Sequence, residues 1–324
     1  MPFDKAALEI DCASEAQRIG DTVRRQLREI RRKGMVLGLS GGIDSSVTAA
    51  VLVRALGAER VFGIFMPESD SDPDSLRLGR LLAEHLGIRT IVEDIAPALT
   101  ALRCYERRND ALAAVIEGFT PQWKFKLVLP EPGHRGVNFY SVVARAPDGR
   151  EVRQRLSLDT YLAIVAATNF KQRVRKMVEY HWADRLHFAV AGTPNRLEYD
   201  QGFFVKQGDG AADIKPIAHL YKTQVYALAE HLGIPPEIRS RPPTTDTYSL
   251  PQGQDEFYFS LPYDKLDLCL YAKNHGIPAG EVAAAIGLTP AAVEHVYKDI
   301  DTKRSTTRYQ HLAPMLVDPI AGPG

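Results

Sequence analysis

The chain has 324 residues, of which 45% are apolar and 25% are charged, as is typical of a globular protein with a buried core. Its 40 basic and 40 acidic residues cancel, so no overall charge attracts it to nucleic acid or to an anionic membrane surface. No apolar run approaches the roughly 18 residues that a membrane span needs. We therefore expect neither a nucleic acid nor a membrane as its partner.

The cysteines indicate a reducing compartment. Cys12, Cys104 and Cys269 are far apart in the sequence, which is typical neither of a disulfide framework nor of a metal-binding pair. The first residues contain no apolar stretch of the kind found in a signal peptide. We therefore expect a cytoplasmic protein.

The N-terminal part of the chain alternates between helix and strand patterns. A helix with one apolar stripe is predicted over residues 14–32, and we interpret the arginines on its opposite face as solvated. Strands are then predicted over 35–39, 61–65 and 90–92. One helix is predicted over 45–56, and a second follows the strand 61–65 and ends at Gly87. Alternation at this spacing indicates right-handed crossover connections and a parallel sheet.

Residues 117–158 have a different pattern from their surroundings. Short strands are predicted over 124–129, 139–144 and 151–156, and the sequence Pro-Asp-Gly at 147–149 is typical of a turn between the last two. We interpret this segment as a β-hairpin insertion into an otherwise alternating α/β fold.

The C-terminal half begins with a long predicted helix over 159–186, followed by a strand over 187–191. A polar, glycine-rich loop is predicted up to residue 210. The remaining predictions are a helix over 221–232, a long loop over 235–262, and short helices over 281–286 and 290–300. A loop of that length in a compact enzyme is typical of a lid or of disorder.

The segment Ser40–Ser46, with the sequence SGGIDSS, joins the first predicted strand to a helix. Its glycines permit a tight turn close to a ligand, and the helix start offers unpaired N–H groups at the positive end of its dipole. A Walker loop would need a lysine that this segment lacks. We therefore predict a phosphate site of another type. Mg²⁺ is expected at Asp44, because a carboxylate beside a polyphosphate requires a cation between them.

A second polar cluster follows the predicted strand over 187–191. The segment Gly192–Glu198, with the sequence GTPNRLE, begins where that strand ends, and open α/β sheets bind their ligands at this edge. Glu198 could share the metal with Asp44. The glycine-rich stretch Gly202–Ile217 comes next.

Three motifs together resemble NAD synthetase, a member of the ATP pyrophosphatase group. They are the SGGIDS loop, the sequence GDGAADIKPI at Gly208–Ile217 and the sequence LYKTQV at Leu220–Val225. The resemblance covers most of 14–116 and 159–304. It implies a Rossmann-like parallel sheet flanked by helices, with a small β-rich insertion and a helical C-terminal part. The implied organisation is a single catalytic domain over 1–324 with the insertion at 117–158.

The resemblance also implies a two-step reaction. The nicotinate carboxylate of nicotinic acid adenine dinucleotide attacks the α-phosphorus of ATP and releases pyrophosphate, and ammonia then displaces AMP to give NAD. ATP is the co-substrate, Mg²⁺ is the metal, and the ammonia is free or comes from a separate partner, since no glutaminase domain fits before residue 34. A homodimer is implied as well, with the apolar run Tyr161–Ala167 either at the interface or packed on the sheet.

Individual residues take roles from the resemblance. The ATP contacts are Gly38, Leu39, Ser40, Gly41, Gly42, Ile43, Asp44, Ser45, Thr193, Lys222 and Thr244. The metal ligands are Asp44 and Glu198. The contacts to the dinucleotide are Arg173, Lys206, Asp213, Thr302 and Lys303. Asp213 and Lys222 are the catalytic candidates, and Asp213 is expected to accept a proton from ammonium.

Other functions fit parts of the sequence. Another synthetase of the same group, acting on a different carboxylate or carbonyl, would share the phosphate loop, although the GDGAADIKPI element favours NAD synthetase. The two short helices between Glu281 and Ile300 imitate a helix-turn-helix, but the second offers few cations for a phosphate backbone. A protein that binds nucleotide without turnover is a third alternative.

Overall fold

The computed structural model describes residues 3–129, 140–243, 247–250, 253, 258–259 and 261–318. At its centre is a sheet of four parallel strands in the order β3-β2-β1-β7. These strands are β1 (Met35–Gly38), β2 (Val61–Phe65), β3 (Arg89–Val92) and β7 (Ala189–Val190). The predicted parallel sheet is therefore confirmed, with the first three strands close to their predicted bounds.

Helices surround this sheet and build the C-terminal part of the chain. In chain order they are α1 (Cys12–Glu29), α2 (Ile43–Leu56), α3 (Pro73–Leu86), α4 (Ala96–Ala101), α5 (Cys104–Ala113), α6 (Leu158–Leu186), α7 (Arg196–Gln201), α8 (Lys222–His231), α9 (Pro236–Ser240), α10 (Tyr263–Asn274), α11 (Ala279–Ile286) and α12 (Pro290–His311). Among the described residues, none of these helices is both long and apolar enough to cross a membrane.

Both faces of the sheet are covered because successive side chains of a strand point to opposite sides. Met35 and Leu37 of β1 are buried in a core with α1, α2, α3 and α8. Val36, between them, is buried in a second core with α4, α5 and α6. The result is the three-layer α/β arrangement that the alternating pattern predicts. A further apolar core joins α10, α11 and α12 in the C-terminal part.

The inserted segment forms a separate antiparallel sheet in the order β4-β5-β6. Its strands are β4 (Lys124–Val128), β5 (Ser141–Arg145) and β6 (Glu151–Arg155). Gly149, with a φ of 90°, lies in the predicted turn between β5 and β6. Phe139, where the second strand was predicted to begin, lies outside the described residues. Phe125 and Val142 pack with Leu112 of α5 and Ile164 of α6, so the sheet sits against the helices on one side of the central sheet.

The chain contains more helix than the sequence patterns predict. α7 lies within the predicted loop that reaches residue 210, α9 lies within the predicted loop 235–262, and α12 continues past its predicted end at residue 300. α4, α5 and α10 were not predicted. The shortest of these helices have too few turns to display an apolar period, and tertiary packing determines them instead.

Candidate active site

A cleft of about 1330 Å³ opens at the carboxyl ends of β1, β2 and β7. Residues that directly follow these strands line it, among them Ser40, Met66 and Thr193, and parts of α6 and α12 complete its walls. Pockets for single small ligands typically measure about 300–1,000 Å³, so this cleft has room for a larger ligand or for two. Its position is the one that open α/β sheets use for binding.

The predicted phosphate loop lies on this cleft. Gly41 has a φ of 73°, and a Cβ there would lie 2.5 Å from the carbonyl oxygen of Ser75, so only glycine fits. The Oγ atoms of Ser45 and Ser46 donate to the carbonyl of Gly42 at 3.0 and 2.8 Å and fix the turn into α2. Gly42 precedes the helix and has no side chain with which to cap it. The first turn of α2 lines the cleft without a side-chain cap, and a helix start of this kind can bind an anion.

Asp44, in that first turn, is bound by two side chains from distant parts of the chain. Its Oδ2 accepts a hydrogen bond from Nζ of Lys222, and its Oδ1 accepts one from Nδ2 of Asn195 at 3.1 Å. Lys222 is fully buried. Burial disfavours its charge, but the carboxylates of Asp44 and Glu198 outweigh burial and raise the pKa of Lys222 above its ordinary value. A charged ammonium is thus held beside the phosphate loop at neutral pH.

The backbone of Lys222 is held by a carboxylate that the sequence analysis did not identify. Asp267 of α10 is fully buried, and its oxygens accept the N–H groups of Lys222 and Thr223 at 3.2 and 2.7 Å. Burial raises the pKa of Asp267 to about 6, although these N–H groups act in the opposite direction. Asp267 therefore fixes the start of α8. No sequence motif joins it to Lys222, because only the fold brings the two together.

Glu198 lines the cleft at the first turn of α7. Its Oε2 accepts the N–H of Asn195 at 3.1 Å, and its own N–H donates to Oδ1 of Asn195 at 3.2 Å. This capping box explains why the short helix forms after the turn GTPN. Because Asn195 also binds Asp44, it connects the two carboxylates that the sequence predicts as metal ligands.

A second charged cluster lines the cleft on α6 and in the glycine-rich stretch. Nζ of Lys176 donates to Oε2 of Glu179 at 2.6 Å, and both side chains are buried. Asp209 accepts the backbone N–H of Val205 at 2.7 Å. Burial raises the pKa of Glu179 and of Asp209 above their ordinary values, against the attraction of Lys176. The sequence analysis gave these residues no role, although Asp209 belongs to the motif GDGAADIKPI.

Three of the predicted dinucleotide contacts, Arg173, Lys206 and Lys303, line the cleft. Nζ of Lys206 donates to the carbonyl of Tyr309 at 2.7 Å, so it also holds the end of α12. Burial lowers the pKa of Lys303, against the attraction of Asp299. Of the predicted ATP contacts, Thr193 and Lys222 line the cleft as well.

Asp213 and Thr302 are placed differently, and neither belongs to the described lining of the cleft. Asp213 is exposed, and its oxygens accept the N–H of Val190 at 2.7 Å and the hydroxyl of Tyr180 at 3.4 Å. Oγ1 of Thr302 donates to the carbonyl of Lys298 within α12 at 2.9 Å. The geometry supports a structural role for both residues. The predicted ATP contact Thr244 lies outside the described residues.

A parallel α/β sheet with a glycine-rich loop and a helix start after its first strand is the arrangement of a nucleotide-binding α/β protein. The chain belongs to the NAD synthase family, whose model matches residues 15–118 and 148–309. It is 59% identical to the NH(3)-dependent NAD(+) synthetase of Rhizobium meliloti, over 98% of this chain and 96% of that protein. It is 32% identical to the protein of the same name from Thermotoga maritima, over 92% of this chain and 97% of that one.

Solved structures are similar over nearly the whole chain. The NAD+ synthetase of Burkholderia pseudomallei is 25% identical with a TM-score of 0.57, and the similarity covers 94% of each chain. The NH3-dependent NAD synthetase of Campylobacter jejuni has a TM-score of 0.62 at 21% identity, over 95% of this chain and all of that one, and shows a shared fold. The helix pair that imitates a helix-turn-helix lies within the stretch that the family model matches.

Proposed function

We propose that this chain is a carbon–nitrogen ligase that converts nicotinic acid adenine dinucleotide to NAD, with ATP as co-substrate and ammonia as the nitrogen source. The observation that carries the proposal is the phosphate loop, which lies beside the Asp44–Lys222 pair in a cleft large enough for both nucleotides. Membership of the NAD synthase family supports it. The catalytic unit is proposed to be one domain that includes the inserted sheet.

The proposed chemistry begins with activation of the substrate carboxylate. A carboxylate oxygen bonds to the α-phosphorus of ATP, the bond from that phosphorus to the pyrophosphate oxygen breaks, and an acyl-adenylate forms. Negative charge develops on the phosphate oxygens, and the N–H groups at the start of α2 and the ammonium of Lys222 are placed to stabilise it. Ammonia then bonds to the acyl carbon, and AMP leaves.

The donor set at the loop fits Mg²⁺ bound together with the triphosphate. Mg²⁺ is usually held by one or two carboxylates and by phosphate oxygens, and Asp44 and Glu198 both line the cleft. Within the described part of the chain, no group of three acidic, histidine or cysteine side chains could hold a metal alone. We propose that these two carboxylates hold the ion, which would neutralise phosphate charge during adenylation.

For the ammonia step, the geometry favours Asp209 over the predicted Asp213. Asp209 lines the cleft, whereas Asp213 is not part of its described lining and is held by the N–H of Val190 and the hydroxyl of Tyr180. The raised pKa of Asp209 makes its carboxylate a stronger base than an ordinary aspartate. We propose that Asp209 attracts ammonium and accepts its proton, while Asp213 braces the glycine-rich stretch.

We also propose a cytoplasmic homodimer. Leu162 and Met177 of α6 are 50% and 69% exposed, which is unusual for large apolar side chains on one helix. Within the predicted run Tyr161–Ala167, Ile164 and Ala167 are buried inside the subunit, so only part of that run is available to a partner. The three cysteines are free, which supports a reducing compartment.

The test of the proposed function is product formation by the purified full chain. With nicotinic acid adenine dinucleotide, Mg-ATP and ammonium, NAD should accumulate until the limiting substrate is consumed. Glutamine at the same concentration should give no NAD unless a separate ammonia-releasing protein is added. Absence of NAD with ammonium would refute the proposal, and amidation of a different carboxylate would support the alternative synthetase.

A further inference from the structure

Two of the three strands of the inserted sheet fall outside the family pattern. The family model matches residues 15–118 and 148–309 and leaves residues 119–147 unmatched. The unmatched residues contain β4 and β5. The three-stranded sheet therefore needs an explanation that comes from its own contacts.

The outer edge of β4 binds a segment from the C-terminal half of the chain. The N–H of Phe125 donates to Oγ of Ser249 at 2.9 Å, and the N–H of Leu250 donates to the carbonyl of Phe125 at 3.0 Å. Side chains reinforce this pairing. Tyr248 is buried in the core of the inserted sheet, with its ring centroid 5.4 Å from that of Phe125. Leu250 is buried with Val128 of β4.

The same segment is tied to the residues after β2 through a buried lysine. Nζ of Lys171 donates to the carbonyl of Thr247 at 2.9 Å, to Oε1 of Glu68 at 2.9 Å and to Oδ2 of Asp70 at 2.7 Å. An ammonium has three N–H groups, and these contacts use all of them. Because Lys171 is 1% exposed, no water can substitute for these partners without opening the core. The segment Thr247–Leu250 is therefore fixed at both ends.

This segment meets the cleft on the side of the residues that follow β2, to which Lys171 ties it. Thr247 and Tyr248 line the cleft, and so does Arg241 a few residues earlier. The guanidinium of Arg241 donates to Oδ2 of Asp72 at 2.9 Å and to Oγ of Ser75 at 3.2 Å. Ser75 is the residue whose carbonyl closes over Gly41 of the phosphate loop.

We infer that the inserted sheet is a positioning element for ATP, because it holds Thr247–Leu250 at the wall of the cleft against the residues after β2, and that stretch leads to Ser75 beside the phosphate loop. The inference deepens the proposed function and rests on it in taking ATP as the ligand. The residues of the segment are positioning residues. Lys171 of α6 also binds the segment, but the predicted dinucleotide contacts Arg173, Lys206 and Lys303 lie outside it, so we expect a larger effect on ATP than on the dinucleotide.

The test measures ligand binding by the full chain without turnover. Mg-ATP and nicotinic acid adenine dinucleotide are titrated separately by calorimetry into the wild type and into Tyr248→Ala, which removes the anchor in the inserted core. We expect the Kd for ATP to rise about tenfold and the Kd for the dinucleotide to change less than about twofold. In the assay, KM for ATP should rise while kcat stays within about twofold.

Two further variants control for folding. Val152→Ala changes β6, at the edge of the sheet opposite β4 and the segment, and it should leave both Kd values unchanged. Ser249→Ala removes only the hydrogen bond from Phe125, and it should raise the Kd for ATP about threefold. An unchanged affinity for ATP in both segment variants would overturn the inference, and so would equal weakening by Val152→Ala. A wild type that binds ATP but makes no NAD would refute the proposed function alone.

Discussion

At the residue scale we propose two functions for Asp44, because it lies in the loop assigned to phosphate binding and neutralises the buried Lys222. Asp44→Asn should lower kcat/KM for NAD formation at least about a hundredfold, which corresponds to about 2.7 kcal/mol. It should also lower the free energy of unfolding by about 3 kcal/mol, because it removes the carboxylate that is hydrogen-bonded to a buried ammonium and leaves only Glu198 to compensate the charge. Steady-state kinetics and urea unfolding measure the two effects.

The double variant Asp44→Asn with Lys222→Met separates these effects. Removal of the unpaired charge should restore part of the stability and none of the activity. If activity instead returned together with stability, neither Asp44 nor Lys222 would act on the phosphates.

Asp209 should affect only amide formation, whereas Asp213 should affect neither step of the reaction. In a single turnover, Asp209→Asn should still release pyrophosphate, because the phosphate loop is intact, but it should slow amide formation at least about tenfold. Asp213→Asn is the matched control and should slow neither step by more than about twofold unless the protein loses stability. Quenched-flow sampling of pyrophosphate and NAD follows both steps. A selective loss of amide formation in Asp213→Asn would restore the role that the sequence predicts for it.

At the scale of elements, the start of α8 depends on the carboxyl group of Asp267. Burial raises its folded-state pKa to about 6, above the ordinary value of 3.8. A raised pKa means that the stabilising contribution is present below about pH 4 and is lost as the pH rises through about 6. The stability of the wild type relative to Asp267→Asn should therefore fall by on the order of 3 kcal/mol between pH 4 and pH 7.

Urea unfolding of both proteins at the two pH values measures this difference. The comparison with the asparagine variant cancels the titration of the other carboxylates. A difference that rises with pH would mean that the N–H groups of Lys222 and Thr223 stabilise the ionised carboxylate more than burial destabilises it.

The sequence predicts those elements whose signals are local. β1 is a short run of buried apolar residues, so its sequence predicts a strand. The loop after it contains glycines, which a tight turn needs, so the loop could be predicted too. The strands of the inserted sheet alternate and are separated by a Pro-Asp-Gly turn, so they could be predicted as well. α7 was not predicted, because its six residues are too few to show an apolar period, although Asn195 and Glu198 have the spacing of a capping box.

The candidate site divides in the same way. Lys222 and Glu198 lie in motifs, so the resemblance identifies them. Asp267 binds the backbone of Lys222, 45 positions away in the sequence. The partners of Lys171 are each 76 or more positions from it. Such residues have no sequence signature. Only the tertiary fold buries their charges and brings their hydrogen-bond partners to them.

At the scale of the whole molecule, the proposed dimer is testable through the exposed apolar residues of α6. Light scattering at micromolar concentration should give a dimer for the wild type, and Leu162→Glu should shift it towards a monomer because a charge would be buried at the interface. Met315→Glu is a matched control, since Met315 is 87% exposed and lies beyond α12. A wild type that is monomeric, or a dimer that Leu162→Glu leaves intact, would contradict this interface.

The central claim is that the loop after β1 serves cleavage of ATP between its α and β phosphates. Phosphorus NMR of a complete reaction, combined with an enzymatic assay of NAD, measures this directly. The account predicts AMP, pyrophosphate and NAD in equal amounts, with neither nucleotide product formed when the dinucleotide substrate is omitted. Formation of ADP and inorganic phosphate in step with NAD would contradict it.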